Sequence, residues 1–182
     1  SQNSDLVKSF AGKTLDSINN LLSDIDQLNG SIKQAQAKGN PDHASLDQRV
    51  AKMDELSELV DFESRETSTG AMEIQIDGHS VVDESGSYNI NSEVDDSNKK
   101  FRLRLDNGHV LQPEGGKIGA EIEMYEEGIP EMKNRLDNIA STIVSEVNDL
   151  HSNGYGLEDN VQRNFFDSSG TTAESIAINE DL

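Results

Sequence analysis

Four histidines, His43, His79, His109 and His151, are the residues of this 182-residue chain best suited to proton transfer or metal ligation. They fall at a helix start, in two β turns and at a helix end. No two share a helix face at metal-ligand spacing, and no His-Glu-x-x-His occurs. Exposed turn and cap positions account for all four. The next candidate is Asp95-Asp96-Ser97-Asn98 with Glu93, whose oxygens are of the kind that hold calcium. The ligand order of an EF-hand and its closing glutamate are missing, so a plain acidic loop is expected. Carboxylate pairs such as Glu121/Glu123 and Glu126/Glu127 lack the burial that would drive their pKa values apart, and adjacent residues on a helix do not face one another. No cysteine is present, which removes thiolate nucleophiles, thiolate metal sites and disulfides. Gly115-Gly116 followed by Gly119 has the wrong spacing to cradle a phosphate and reads as a strand-to-helix joint. Asn29-Gly30-Ser31 fits a glycosylation sequon but lies on a helix seam. The expectation is a non-enzyme with no catalytic, metal-binding or cofactor-binding residue.

Composition points the same way. The chain has 35 acids against 15 bases, a formal charge of -20. That repels phosphate backbones and anionic membrane surfaces, so neither nucleic acid nor membrane is an expected partner. Residues 118–182 hold 14 of the acids and 3 of the bases, more than half of the excess. With 33% hydrophobic residues, 4% aromatics and no tryptophan, core material is thin for a compact globule with a deep cleft. No run reaches the ~18 apolar residues of a membrane span, and no signal-peptide pattern opens the chain. The start at Ser1 reads as an internal fragment.

Long helices must carry most of the chain. Val7, Ala11, Thr14, Ile18, Leu21, Ile25, Leu28, Ile32 and Ala35 step by four and three, a heptad seam that predicts one helix over 4–37. Leu15 and Leu22 widen the stripe. Gly39-Asn40-Pro41 ends it. A shorter helix over 43–60 carries Leu46, Val50, Met53, Leu56 and Val60 and folds back antiparallel. From Asp61 the period changes to two. Met72-Ile74-Ile76 and Phe101-Leu103-Leu105 alternate with polar residues, and Asp77-Gly78 and Asn107-Gly108 mark hairpin turns. Tyr88 to Ile90 is a weaker strand, and Ser92 to Lys100 a polar loop. Residues 118–152 then repeat the heptad pattern through Ile122, Met132, Leu136, Ile139, Ile143, Val147 and Leu150, with a kink or restart at Pro130. Gly154 is expected to cap the end, beside the last-turn cation His151.

The expected fold is mainly α: an elongated antiparallel helical bundle with long heptad-patterned helices and β-hairpins at one end. Residues 1–60 and 117–154 form the bundle, 61–116 a small antiparallel β insert, and 155–182 an irregular or extended tail leading to a further C-terminal helix. The two heptad helices should lie side by side, so that an aspartate at Leu136 or Ile143 would cost several kcal/mol.

The motifs, taken in order, resemble a known family. Leu46-Asp47-Gln48-Arg49 followed by Leu56-Ser57-Glu58-Leu59-Val60 is similar to the LDQRD…LDELSxLV helix of the flagellar hook-associated protein 1 family, the FlgK hook–filament junction proteins. Gly115-Gly116-Lys117-Ile118-Gly119 resembles that family's GGKLGG. Ile129-Pro130-Glu131 with Leu136-Asp137-Asn138-Ile139-Ala140 resembles its IPxxxxxLDxLA. Val147-Asn148-x-x-His151-x-x-Gly154, then Phe165-Phe166, resembles VNxxHxxGxxL…FF. Val50 departs from the acid that often follows LDQR. Glu121 and Glu123 stand where the family has small or apolar residues.

The resemblance implies a structural role in joining the hook of the bacterial flagellum to its filament. It implies export through the flagellar type III apparatus to an extracellular location. The implied partners are the flagellar hook protein, the second hook–filament junction protein and further copies of the chain, with the fragment itself monomeric in solution. The matching residues would then pack and cap, with Asp47 and Arg49 in local ion pairs and Asn148, His151 and Gly154 organising a helix end. The rival reading is a coiled-coil ectodomain or sensor-type helical binding module. It shares the heptads but does not require LDQR and VNxxHxxG together.

Overall fold

The computed structural model describes residues 2–155 and 161–182, so 156–160 of the expected tail lie outside the described residues. Those described are about half helical, with two small antiparallel sheets. They divide into two compact units, Ser1–Glu126 and Glu127–Leu182. The division falls inside the stretch 117–154 that was expected to form one helical bundle domain with 1–60.

In the first unit the seam helix is α1, Gln2–Ala37. It ends because Gly39, at φ +68°, takes the left-handed conformation that lets Asn40 N–H reach Ala35 O and Gly39 N–H reach Gln36 O. Asp42 then caps α2, His43–Leu59, by accepting from Ser45 N–H at 3.0 Å. Two cross-links fix the helix pair as antiparallel: Asp24 with Lys52 and Asn29 with Arg49. Ile18, Leu21, Ile25 and Ile32 are buried and Leu28 is half-buried, together with the flanking Leu15 and Leu22. In α2 Leu56 is buried and Leu46 and Met53 half-buried, but Val50 points outward at 58% exposure. Arg49 takes the inward position beside it.

Sheet A runs in order through β1 (Glu63–Glu66), β2 (Met72–Ile76), β3 (His79–Asp83) and β4 (Gly86–Ser87). The tight turn Asp77-Gly78 (φ +50° and +72°) joins β2 to β3 with Ile76 opposite His79, a two-residue hairpin with both central residues left-handed. Sheet B runs through β5 (Ile90–Asp95), β6 (Lys100–Leu105) and β7 (Val110–Leu111). Strand β5 extends into the stretch expected to be a loop, because Ile90–Asp95 pair residue by residue with Leu105–Lys100. Backbone pairing defines it where its outward Ser92, Glu93 and Val94 give no alternation signal. Strand β1 is exposed at all four positions and had no hydrophobic signature.

Within the first unit the sheets lie along α1 and not at one end of it. Their inner residues Ile74, Ile76, Val81, Val82, Ile90, Phe101, Leu103, Leu105 and Leu111 share one core with Ala11, Leu15, Ile18, Leu22 and Ile25 of α1. Contacts to the insert occur from Lys8 to Asn29 along that helix. The alternating apolar faces need cover on their full length, and the widened stripe of α1 supplies it. Helix α3, Gly116–Glu123, closes the unit with Ile118 buried. Gly116 (φ +68°) starts it where a Cβ would lie 2.6 Å from Val60 Cα, an approach open only to glycine. A π-helical turn, Met124–Gly128, follows.

The second unit contains α4, Ile129–His151, with Pro130 in its first turn as the sequence predicts. Its buried positions are Ala140, Val144 and Asn148. The expected seam is turned away from them: Leu136, Ile139 and Ile143 are 50%, 57% and 43% exposed, and Val147 is half-buried. The apolar stripe is real, but within its unit the cover comes from a short return strap on the neighbouring face. Phe166 bridges Ile178, Asp167 N–H bonds Ala177 O, Ala173 N–H bonds Asp137 Oδ1, and Lys133 pairs with Glu174. Helix α4 ends at Ser152 in a right-handed conformation, so Gly154 is no left-handed cap. Its N–H instead bonds His151 O at 3.0 Å in a following turn. Among the described residues no helix is long and apolar enough to cross a membrane.

Candidate functional site

The polar residues that fasten this fold are helical asparagines. Asn19 of α1 donates to Ile90 O and accepts from Ile90 N–H, both at 2.9 Å. Asn29 does the same to Met72, with both bonds at 2.8 Å. Asn148 of α4 does the same to Phe166, at 3.1 and 2.8 Å. A carboxamide has the donor and acceptor geometry of a peptide group, so each asparagine stands in for a neighbouring strand and satisfies backbone groups that burial would otherwise orphan. Asn148 was singled out in the sequence as a helix-end organiser. Asn19 and Asn29 were not, although Asn29 shows a readable signal: a polar residue next to seam position Leu28, on the buried side. Its engagement with Met72 and its burial leave no room there for a glycan.

Around Asn29 stands the LDQR segment. Arg49 is only 4% exposed. Its Nη1 donates to Asn29 Oδ1 at 3.0 Å and Gly70 O at 2.6 Å, and Nη2 to Glu66 at 3.2 Å. Its Nε–H has no partner. Arg49 is thus an internal tie between α2, α1 and sheet A, and it makes its ion pair, with Glu66, from a buried position. Asp47 and Gln48 are exposed on the other side of the same turn.

A second tie holds the start of α1 to the β5–β6 turn and the π-turn. Tyr125, 1% exposed, donates to Asp96 Oδ1 at 2.7 Å, and Lys8 Nζ reaches the same oxygen at 2.8 Å. Burial, helped by the Asp96 bond, pushes the Tyr125 phenol up. The Lys8 and Tyr125 hydrogen bonds hold Asp96 below the usual carboxylate range. Burial pushes Glu126 up, but bonds from Lys100 Nζ and Phe101 N–H outweigh it and leave the carboxyl lowered. Asp95 turns its oxygens onto its own loop. Ser97 and Asn98 supply two side-chain and two backbone donors between 2.5 and 3.2 Å and hold it down to about 2. The acidic loop therefore spends its carboxylates on protein donors. Among the described residues no three His, Asp or Glu side chains are placed to hold a metal ion.

At the helix end the motif residues meet. His151 Nδ1 lies 2.8 Å from Arg163 O, its ring packs edge-on to Phe165 at 5.6 Å, and Phe165 packs on Phe166 at 4.9 Å. Leu136 takes no part in this cluster. What these arrangements do chemically is hold backbone in place.

Comparison with known proteins agrees with such a scaffold. Residues 1–166 match the model of the flagellar hook-associated protein FlgK helical domain. The chain is 26% identical over 207 aligned residues to flagellar hook-associated protein 1 of Bacillus subtilis (strain 168), covering 92% of this chain and 39% of that relative. Its fold is similar to that of the flagellar hook junction protein FlgK from Burkholderia pseudomallei, with a TM-score of 0.68 and 21% identity, covering 91% of this chain and 32% of that one. The chain therefore spans roughly a third to two-fifths of the length of these relatives.

Proposed function

We propose, from the premise that this chain belongs to the family of the flagellar hook-associated protein FlgK helical domain, that it is a structural part of the bacterial flagellum. Its role is to join hook to filament, without catalysis of its own. The match of residues 1–166 to the family model carries the reading. Partners are then the hook protein, the second junction protein and neighbouring copies, and the working location is extracellular, reached through the flagellar export apparatus. The internal ties at Asn29, Arg49 and Tyr125 suit a part that transmits load, because they fasten strands to helices through buried bonds.

The same reading gives the exposed stripe of α4 a place. In the assembled protein Leu136, Ile139 and Ile143 are covered by apolar surface supplied from outside their own unit. The test of function is genetic. Deleting the native gene should leave cells with bare hooks and filament subunits shed into the medium, and the full-length gene should restore filaments. Filamented, swimming cells after deletion overturn the reading.

A further inference from the structure

Two hairpin turns in different sheets carry nearly the same tripeptide, Asp77-Gly78-His79 and Asn107-Gly108-His109. In both the glycine is left-handed, at φ +72° and +92°, and the histidine is the residue that follows it. Sheets A and B share no hydrogen-bonded strand pair. At these turns, however, the His79 and His109 rings stack, with centroids 4.6 Å apart and planes 25° from parallel. Gln112 N–H, just past β7, donates to Asp77 Oδ2 at 3.0 Å, a second tie between the first turn and the second hairpin. The histidines are half-buried and exposed respectively, so solvent protons reach the pair.

We propose that the twin turns form a proton-sensitive clasp between the two sheets, closed while at most one imidazole is charged and open when both are. Neutral aromatic rings attract at this separation. Two imidazolium ions at the same distance repel, and histidine is the side chain that crosses between these states between about pH 5 and pH 8. The two hairpins carry Asp77 on the first turn, and Asp106 and Arg104 on the second. Asp77 Oδ2 is engaged by Gln112 N–H. Asp106 accepts from Asn91 Nδ2 at 2.8 Å, and the Arg104 guanidinium donates to Gly108 O at 2.9 Å, next to His109, and to Glu93. With both rings charged the attraction of the stack is lost and the tips of the two turns part above the core that the sheets share.

The test uses the 182-residue chain and nuclear Overhauser contacts between the two rings, with amide exchange at 77–80 and 107–112 as a second readout. At pH 8 ring-to-ring contacts should be present and the turn amides protected. At pH 5 the contacts should vanish and exchange at both turns, corrected for its intrinsic pH dependence, should rise severalfold, while amides of α1 around Ile25 keep their protection. The variant H109F, which stacks but cannot be charged, should keep the turns protected at pH 5. Ring contacts that persist at pH 5, ring contacts absent at pH 8, or an H109F chain that opens on acidification as the parent does, each overturn the clasp.

Discussion

Along α1, Ile18, Leu22, Ile25 and Ile32 are all at or below 1% exposure, whereas along α4 Leu136, Ile139 and Ile143 are between 43% and 57% exposed. The two stripes have the same four-three spacing. What separates them is supply. The first helix has two sheets, α2 and α3 within its own unit to cover a widened stripe. The strap 161–182 returns along a different face of α4, which buries Ala140 and Val144. Periodicity thus reports that a helix has an apolar side, and the partner has to be found elsewhere in the chain or outside it.

The sharpest way to break this contrast is to charge both stripes. Ile25→Asp puts an unpaired carboxylate at a position with no exposure and should cost about 4 kcal/mol or more. Ile139→Asp should cost about 1 kcal/mol or less, in line with a surface helix change. Leu136 and Ile143, where the heptad pattern alone implied several kcal/mol, belong with Ile139 in this chain. Urea unfolding followed by circular dichroism measures all of them. Equal losses at Ile25 and Ile139 would mean that α4 is covered after all.

A second pair separates a tie inside the large core from one that holds a strap. Asn29→Ala removes both bonds to Met72 and one acceptor of Arg49, and should lower the stability of the first unit by about 2–3 kcal/mol, since buried backbone and guanidinium groups lose their partners. Asn148→Ala removes the matching pair of bonds to Phe166, but at the edge of a small unit. Its effect should be local: faster exchange at Phe166 and Asp167, with amides of α1 and the sheets unchanged. Loss of protection throughout the first unit in the Asn148 variant would contradict the division.

Elements with their own chemistry were legible in the sequence. The first long helix, the Gly39 stop, the Asp77-Gly78 and Asn107-Gly108 turns and the place of Pro130 in the first turn of α4 each follow from a few residues acting locally, whereas the π-turn that splits the second helical stretch gave no such signal. The family motifs marked Arg49, Asn148, His151, Phe165 and Phe166. Strands β1 and β5 were not legible because backbone pairing defines them and their side chains point to water. The inward turn of Arg49 was hidden for a related reason. A charged residue in a helix reads as solvated until Gly70 O, Asn29 and Glu66, which come from three other segments, are brought around it. The placement of the sheets along α1 also depends on a distant match: the insert's alternating residues against a stripe some 50–90 positions away in sequence.

The smallest expected effect compares two acidic turns, one in each unit. Asp95 accepts four bonds from Ser97 and Asn98. Asp167 accepts two, from the Ser169 backbone and hydroxyl, and is lowered first by the backbone bond and then by the hydroxyl. Hydrogen bonds of this kind are made to the charged carboxylate, so protonation weakens them. A depressed folded-state value means that the turn's stabilisation is complete above the ordinary carboxylate range, near 3.8, and is lost as pH falls through the folded value. For Asp95 the loss runs from about 3.8 down to about 2. Asp167 has half as many donors, so its turn should let go first on acidification. Asp167 is exposed and Asp95 half-buried at a turn, which makes this a local loosening with little bearing on the fold as a whole. Side-chain carbonyl shifts of the two aspartates, followed from pH 6 to pH 2, give the order directly. Release of the Asp95 turn at the higher pH would show that donor count does not set how tightly these loops hold their charge.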